Sequence, residues 1–157
     1  MADTTAATKK TDSTEGAASG FTAAERAAMK ERAEELRSSG RGGKKKAEEA
    51  QACLDKIAEM GPDDRSLAER IHAIIADVAP DLDSKTWYGM PAYARDGKVI
   101  CFFKPAEKFG ARYATVGFSD VATLDDGNVW PTEYAVTRLT DSDIKQFTKL
   151  IERATRQ

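Results

Sequence analysis

The chain has 157 residues, 41% apolar and 32% charged, with a formal net charge of −2. That length suits one domain with a single core. Interspersed charges of both signs exclude a global attraction to nucleic acid or a membrane surface, and no stretch approaches the roughly 20 apolar residues that span a bilayer.

Residues 1–20 hold no large apolar side chain after Met1 and are rich in Thr, Ala, Ser and Gly. Such a segment cannot offset the entropy of ordering, so it reads as a disordered tail, and it lacks the apolar run of a secretory signal. The expectation is a cytoplasmic protein. Thr22 followed by Glu25 is the reciprocal signature of a helix start, and a helix is predicted from there to about Leu36. Its apolar positions are mostly alanine, so it docks weakly and lies loosely on the domain or detaches. Residues 38–43, SSGRGG, break it as a hinge.

Ala47, Ala50, Leu54, Ile57 and Ala58 recur at helical spacing through residues 45–60, and Gly61-Pro62 ends that helix. Asp63 or Asp64 is expected to cap the next, whose Leu67, Ile71, Ile74, Ile75 and Val78 fall in one narrow arc. Pro80 stops it. Residues 87–103, WYGMPAYARDGKVICFF, are dense in strand formers, and Asp96-Gly97 is the dipeptide of a tight hairpin turn. An extended segment over 87–93 therefore leads through that turn into a strand over 99–103.

A third strand is predicted over 112–118, with Ala114, Val116 and Phe118 on one face, and a fourth over 133–139. Thr140 to Asp143 caps a last helix striped by Ile144, Phe147, Leu150, Ile151 and Ala154. Successive strands bracketed by helices favour a two-layer α+β domain: an antiparallel sheet of four to five strands with N- and C-terminal helices on one face, plus an N-terminal helical extension. The organisation expected is a tail over 1–20, a helical extension over 21–60 and the α+β domain over 61–157.

Trp87-Tyr88-Gly89-Met90-Pro91-Ala92-Tyr93, then Gly97-Lys98, the run ending Phe102-Phe103, and Gly117-Phe118, resemble the YdhG-like family of small bacterial domains, which has no settled activity. The resemblance covers residues 67–154 and implies the fold shared with YjbR-like and frataxin-type proteins. Residues 22–60 resemble an N-terminal extension of some actinobacterial members. Because some members are described as frataxin-like iron chaperones, the resemblance also implies an alternative: an intracellular iron-binding protein. The residues nearest to a frataxin acidic ridge are Glu69 and Asp77, then Asp81 and Asp83, interrupted by Arg70 and Lys85.

Among candidate sites, Asp77, Asp81 and Asp83 gather near one helix end, where a hard cation would find oxygen ligands, although carboxylates there oppose the helix dipole. His72, the single histidine, sits on the flank of its helix stripe. With no G-x-S-x-G turn and no acid paired to that histidine, the chain reads as a binding module rather than an enzyme. Cys53 and Cys101 read as buried free thiols. Arg37, Arg41, Lys44, Lys45 and Lys46 form a basic cluster on the hinge, but no aromatic lies among them, so nucleic acid is not the expected partner.

The remaining set is aromatic. Trp87, Tyr88, Met90, Tyr93, Phe103, Tyr113 and Trp130 are expected to wall a pocket rimmed by Lys104 and Lys108, with Trp87 and Tyr93 on one strand face and Trp130 folding over them. The expected ligand is a small, partly apolar anion. A protein partner, and a monomer or weak homo-oligomer, remain open at this level.

Overall fold

The computed structural model describes residues 20–38 and 43–157. The expected tail up to residue 19 and the hinge residues 39–42, Arg41 included, lie outside these. Four helices and five strands follow in the order α1 (Ala23–Ser38), α2 (Gly43–Glu59), α3 (Pro62–Val78), β1 (Asp83–Trp87), β2 (Met90–Arg95), β3 (Lys98–Lys104), β4 (Ala114–Phe118), β5 (Glu133–Val136) and α4 (Asp141–Ala154). The strands form one antiparallel sheet in sequence order. An α+β fold is the result, as the succession of patterns implied.

Two tight turns set the register. Asp96-Gly97 joins the paired residues Arg95 and Lys98, and both turn residues have positive φ, 51° and 79°, as expected. The other was not expected. Tyr88 and Gly89 also have positive φ, 53° and 72°, and close a second two-residue hairpin between Trp87 and Met90. The extended segment predicted over 87–93 is therefore split between two strands, and β1 begins at Asp83, before the stretch predicted to be extended. A tyrosine is an unusual occupant of a left-handed turn position, which hid the turn from a reading by residue preference.

Pairing fixes which side chains share a face. Tyr93 pairs with Cys101 and Cys101 with Phe118, while Phe103 pairs with Val116. These residues, with Ala114 and Val136, meet Cys53 and Ile57 of α2, Ala68, Ile71 and Ile75 of α3, and Phe147, Ile151 and Ala154 of α4 in one buried core. A β-bulge between Tyr93 and Ala94 leaves Ile100 outside the β2–β3 pairing, and Ile100 is buried with this set. Each fully buried Ile or Phe contributes on the order of 2 kcal/mol from area alone. Both expected helical stripes, on α3 and α4, cover the sheet.

On α2 the stripe is displaced: Cys53 and Ile57 are buried while Leu54 is 44% exposed. Periodicity alone left the rotation of this helix undecided by one residue. Its docking against β1 and β2 resolves it, and Lys46 ion-pairs with Asp83 at 2.9 Å along the same contact.

Helix ends follow their local chemistry with one exception. The side chains of Thr22 and Glu25 each accept from the other's backbone N–H as expected, as do those of Thr140 and Asp143. At α3 the cap is Gly61, with Pro62 opening the helix, and neither aspartate caps it. Asp64 faces inward instead. Its carboxylate, 5% exposed, accepts from the backbone N–H of Ala106 at 3.1 Å and of Glu107 at 2.9 Å, pinning the loop after β3 to α3. Asp64→Ala should cost about 3 kcal/mol, since two buried donors lose a charged acceptor. Urea denaturation measures the loss, and Asp64→Asn, which keeps one acceptor, should lose less.

Candidate functional site

The sheet face turned away from the core carries the alternate residues: Trp87 opposite Met90, Ala92 opposite Phe102, Phe102 opposite Gly117, and Lys104 opposite Thr115. Gly117 belongs there for a steric reason. A β-carbon on it would collide with the Phe102 ring, which lies directly over the glycine backbone. Phe102 also meets Trp87 at a tilt of 49°, ring centroids 5.1 Å apart, and Trp87 meets Tyr88 edge to face at 4.9 Å.

Helix α1 lies over the edge of this face. Gly20, Phe21, Glu25, Ala28 and Met29 on one side, and Trp87, Tyr88, Met90, Phe102, Lys104, Phe109, Thr115 and Glu133 on the other, line an open groove of about 600 Å³. Phe21 and Met29 are 54% and 39% exposed, so the helix wall presents apolar surface to the groove rather than filling it. The Lys104 ammonium sits 5.0 Å from the centre of the Phe109 ring and, among the described residues, has no carboxylate partner.

Polar contacts hold α1 in place. Only Ala28 of the helix is buried, as its alanine-rich pattern implied. The Glu35 carboxylate accepts from the N–H of Tyr88 at 3.0 Å and of Gly89 at 2.8 Å, clamping the unexpected turn. Glu31 pairs with Lys108 at 2.9 Å and with Lys56 at 3.7 Å. The Glu31–Lys108 pair passes so close over Gly89 that any side chain there would collide with it. Four ionic side chains and two amides replace the apolar docking this helix lacks, and α1 is attached rather than loose. Glu35→Ala should therefore raise amide exchange across α1 and at residues 88–89 by at least tenfold, while α4 stays protected; mass-spectrometric hydrogen exchange reads both.

The structure divides the residues expected to form a pocket. Trp87, Tyr88, Met90 and Lys104 do line one groove. Tyr93 and Phe103 are 2% and 1% exposed in the core, on the other face, because the Tyr88-Gly89 turn puts Trp87 and Tyr93 on different strands. Trp130 borders a separate depression with Phe118 and Val129, and Tyr113 sits near the start of β4 beside Arg112. Lys108 is taken by Glu31. Phe21, Met29, Phe102 and Phe109 are groove residues that sequence reasoning missed. The only available signal for Phe102 was strand alternation against Phe103, and that needed a register.

The acidic candidates separate too. Asp81 pairs with Arg95 at 2.7 Å and Asp83 with Lys46, while Asp77 is exposed on α3. Among the described residues no three His, Cys, Asp or Glu side chains converge as a metal-holding group. Of the basic hinge cluster, Lys45 donates to the Ser38 carbonyl at 2.7 Å and Lys46 is paired with Asp83. No described helix is long and apolar enough to cross a membrane.

His72 is half-buried, its Nδ1 3.0 Å from the Tyr93 hydroxyl. Burial lowers the His72 pKa and raises that of Tyr93, so the contact joins a neutral imidazole to a protonated phenol. Burial likewise pushes both thiols up to about 12, Cys53 despite an opposing backbone hydrogen bond from Ala92. Both thiols therefore stay protonated at neutral pH.

These thiols give a pH prediction. Above pH 9 the unfolded chain releases thiol protons that the folded chain retains up to about 12, so the folded state holds more protons and stability falls as pH rises. The loss between pH 8.5 and 10.5 should exceed that of the Cys53→Ala/Cys101→Ala variant by on the order of 3 kcal/mol. Chemical denaturation across that range measures it.

The geometry so far defines an antiparallel α+β protein with a helix-walled aromatic groove behind its sheet. No protein-family model, curated protein or solved structure matches the chain.

Proposed function

We propose that the protein is a non-catalytic binding module whose groove between α1 and the back of the sheet takes a small, partly apolar ligand carrying a single negative charge. The observation that carries this reading is the groove lining itself. Phe21, Met29, Trp87, Met90, Phe102 and Phe109 offer apolar surface, and Lys104 supplies the one cation there without a carboxylate partner among the described residues. Lys108, the second cation expected at this rim, is neutralised by Glu31.

Glu133 narrows the ligand class further. It lines the same groove, as does Glu25, so a second negative charge on the ligand would meet the repulsion of two carboxylates. An aromatic or aliphatic monoanion suits this balance better than a phosphate or a dicarboxylate. The five-stranded antiparallel sheet with α3 before it and α4 after it supports the YdhG-like resemblance as a proposal about ancestry. Nothing in the placement of Asp77, Asp81 and Asp83 favours the iron alternative.

A Trp130→Phe variant leaves Trp87 as the only tryptophan, reporting from inside the groove. Titrated with anilinonaphthalene sulfonate, an aromatic monoanion, it should show a saturable change. At about 0.3 kcal/mol per heavy atom, a ligand of that size binds with Kd on the order of 30 µM. Lys104→Gln and Phe102→Ala should each weaken binding about tenfold, and octanoate should displace the dye. A change that never saturates, or one indifferent to both substitutions, would refute the groove as the site.

A further inference from the structure

A second cleft lies on the helix side of the sheet, where the start of α3 approaches the beginning of β4 and the end of β5. Its volume is about 500 Å³, and it shares no lining residue with the groove behind the sheet. Arg70 of α3, Arg112 just before β4 and Arg138 just after β5 converge on it from three separate segments. None of the three has a carboxylate within ion-pair distance among the described residues. Three arginines without an ion-pair partner among the described residues thus border one cleft, in a chain whose net charge is −2.

The nearby acids do not cancel it. Two carboxylates line the cleft, Asp63 and Asp64. Both oxygens of Asp64 are turned inward onto the Ala106 and Glu107 amides, which leaves the exposed Asp63 as the single acid facing three arginines. Asp143, the other acid that senses Arg138, is engaged by Thr140 through its side chain and backbone.

Tyr113 adds a planar surface. It is 38% exposed, lines the same cleft, and carries the Arg112 guanidinium 5.2 Å from its ring centre. Ser66 and Thr137 place hydroxyl groups along the walls. Guanidinium forks match phosphate oxygens two at a time, and an aromatic ring beside them suits a flat heterocycle.

We infer that this cleft binds a phosphate-bearing small molecule with an attached planar ring, a nucleoside diphosphate being the class that fits. The diphosphate lies between Arg70, Arg112 and Arg138, and the ring rests against Tyr113. This site is independent of the aromatic groove, which favours a single negative charge.

The test is calorimetric titration of the full-length protein with ADP, pyrophosphate and a short oligothymidylate at low and at physiological ionic strength. ADP should bind saturably, and pyrophosphate about tenfold more weakly because it lacks the ring. Tyr113→Ala should weaken ADP but not pyrophosphate. Arg70→Ala/Arg112→Ala/Arg138→Ala should remove binding of both. A control with Lys30→Ala, Lys98→Ala and Lys149→Ala loses the same charge outside the cleft and should bind as the parent does. All six positions are exposed, and unchanged thermal midpoints show that the variants fold. No saturable heat with ADP or pyrophosphate, equal weakening by the lysine control, or binding confined to the oligonucleotide would each overturn the inference.

Discussion

The register of β3 is the constraint on which both surfaces of this protein rest. Phe102 and Phe103 are neighbours in sequence with opposite destinations: Phe103 is 1% exposed in the core, and Phe102 lies across Gly117 on the far face. A slip of one residue would exchange them, driving Lys104 into the core and stripping the groove of its cation. Two hairpins guard against the slip. The Asp96-Gly97 turn sets β3 against β2, and the Tyr88-Gly89 turn sets β2 against β1.

The second hairpin depends on something outside the sheet. Tyr88 adopts a left-handed conformation that costs a bulky residue about 1–2 kcal/mol, so the surrounding structure must impose it. Glu35 does so by accepting both turn amides. The same contact fixes α1, which has little apolar surface of its own to bury. One carboxylate thus couples the wall of the groove to the strand register that shapes its floor. The Asp64 carboxylate repeats the device at the loop after β3, from α3 rather than α1.

The two faces of the sheet also sort the charges. Behind the sheet, aromatic and apolar groups share the groove with one cation, Lys104, and the carboxylates of Glu25 and Glu133. On the helix side, at the ends of β4 and β5, three arginines share one cleft with a single outward-facing acid. Two surfaces of such different polarity thus lie on opposite faces of one sheet.

The elements with regular periodicity were legible from the chain alone. The stripes of α3 and α4, the capping pairs Thr22/Glu25 and Thr140/Asp143, the Asp96-Gly97 turn and the inward Ala114, Val116 and Phe118 all depend on contacts between near neighbours in sequence. The class of fold follows from them. Four members of the groove, Trp87, Tyr88, Met90 and Lys104, were visible as part of an aromatic and lysine-rich stretch, but their separation from Tyr93 and Phe103 was not. That division hinges on a tyrosine turning left-handed, which its own side chain disfavours and a carboxylate 53 positions earlier in the chain supports. The rotation of α2, the attachment of α1 and the meeting of Arg70, Arg112 and Arg138 are likewise tertiary decisions. Each is made by groups far apart in sequence, and local preference carries no information about which distant partner will arrive.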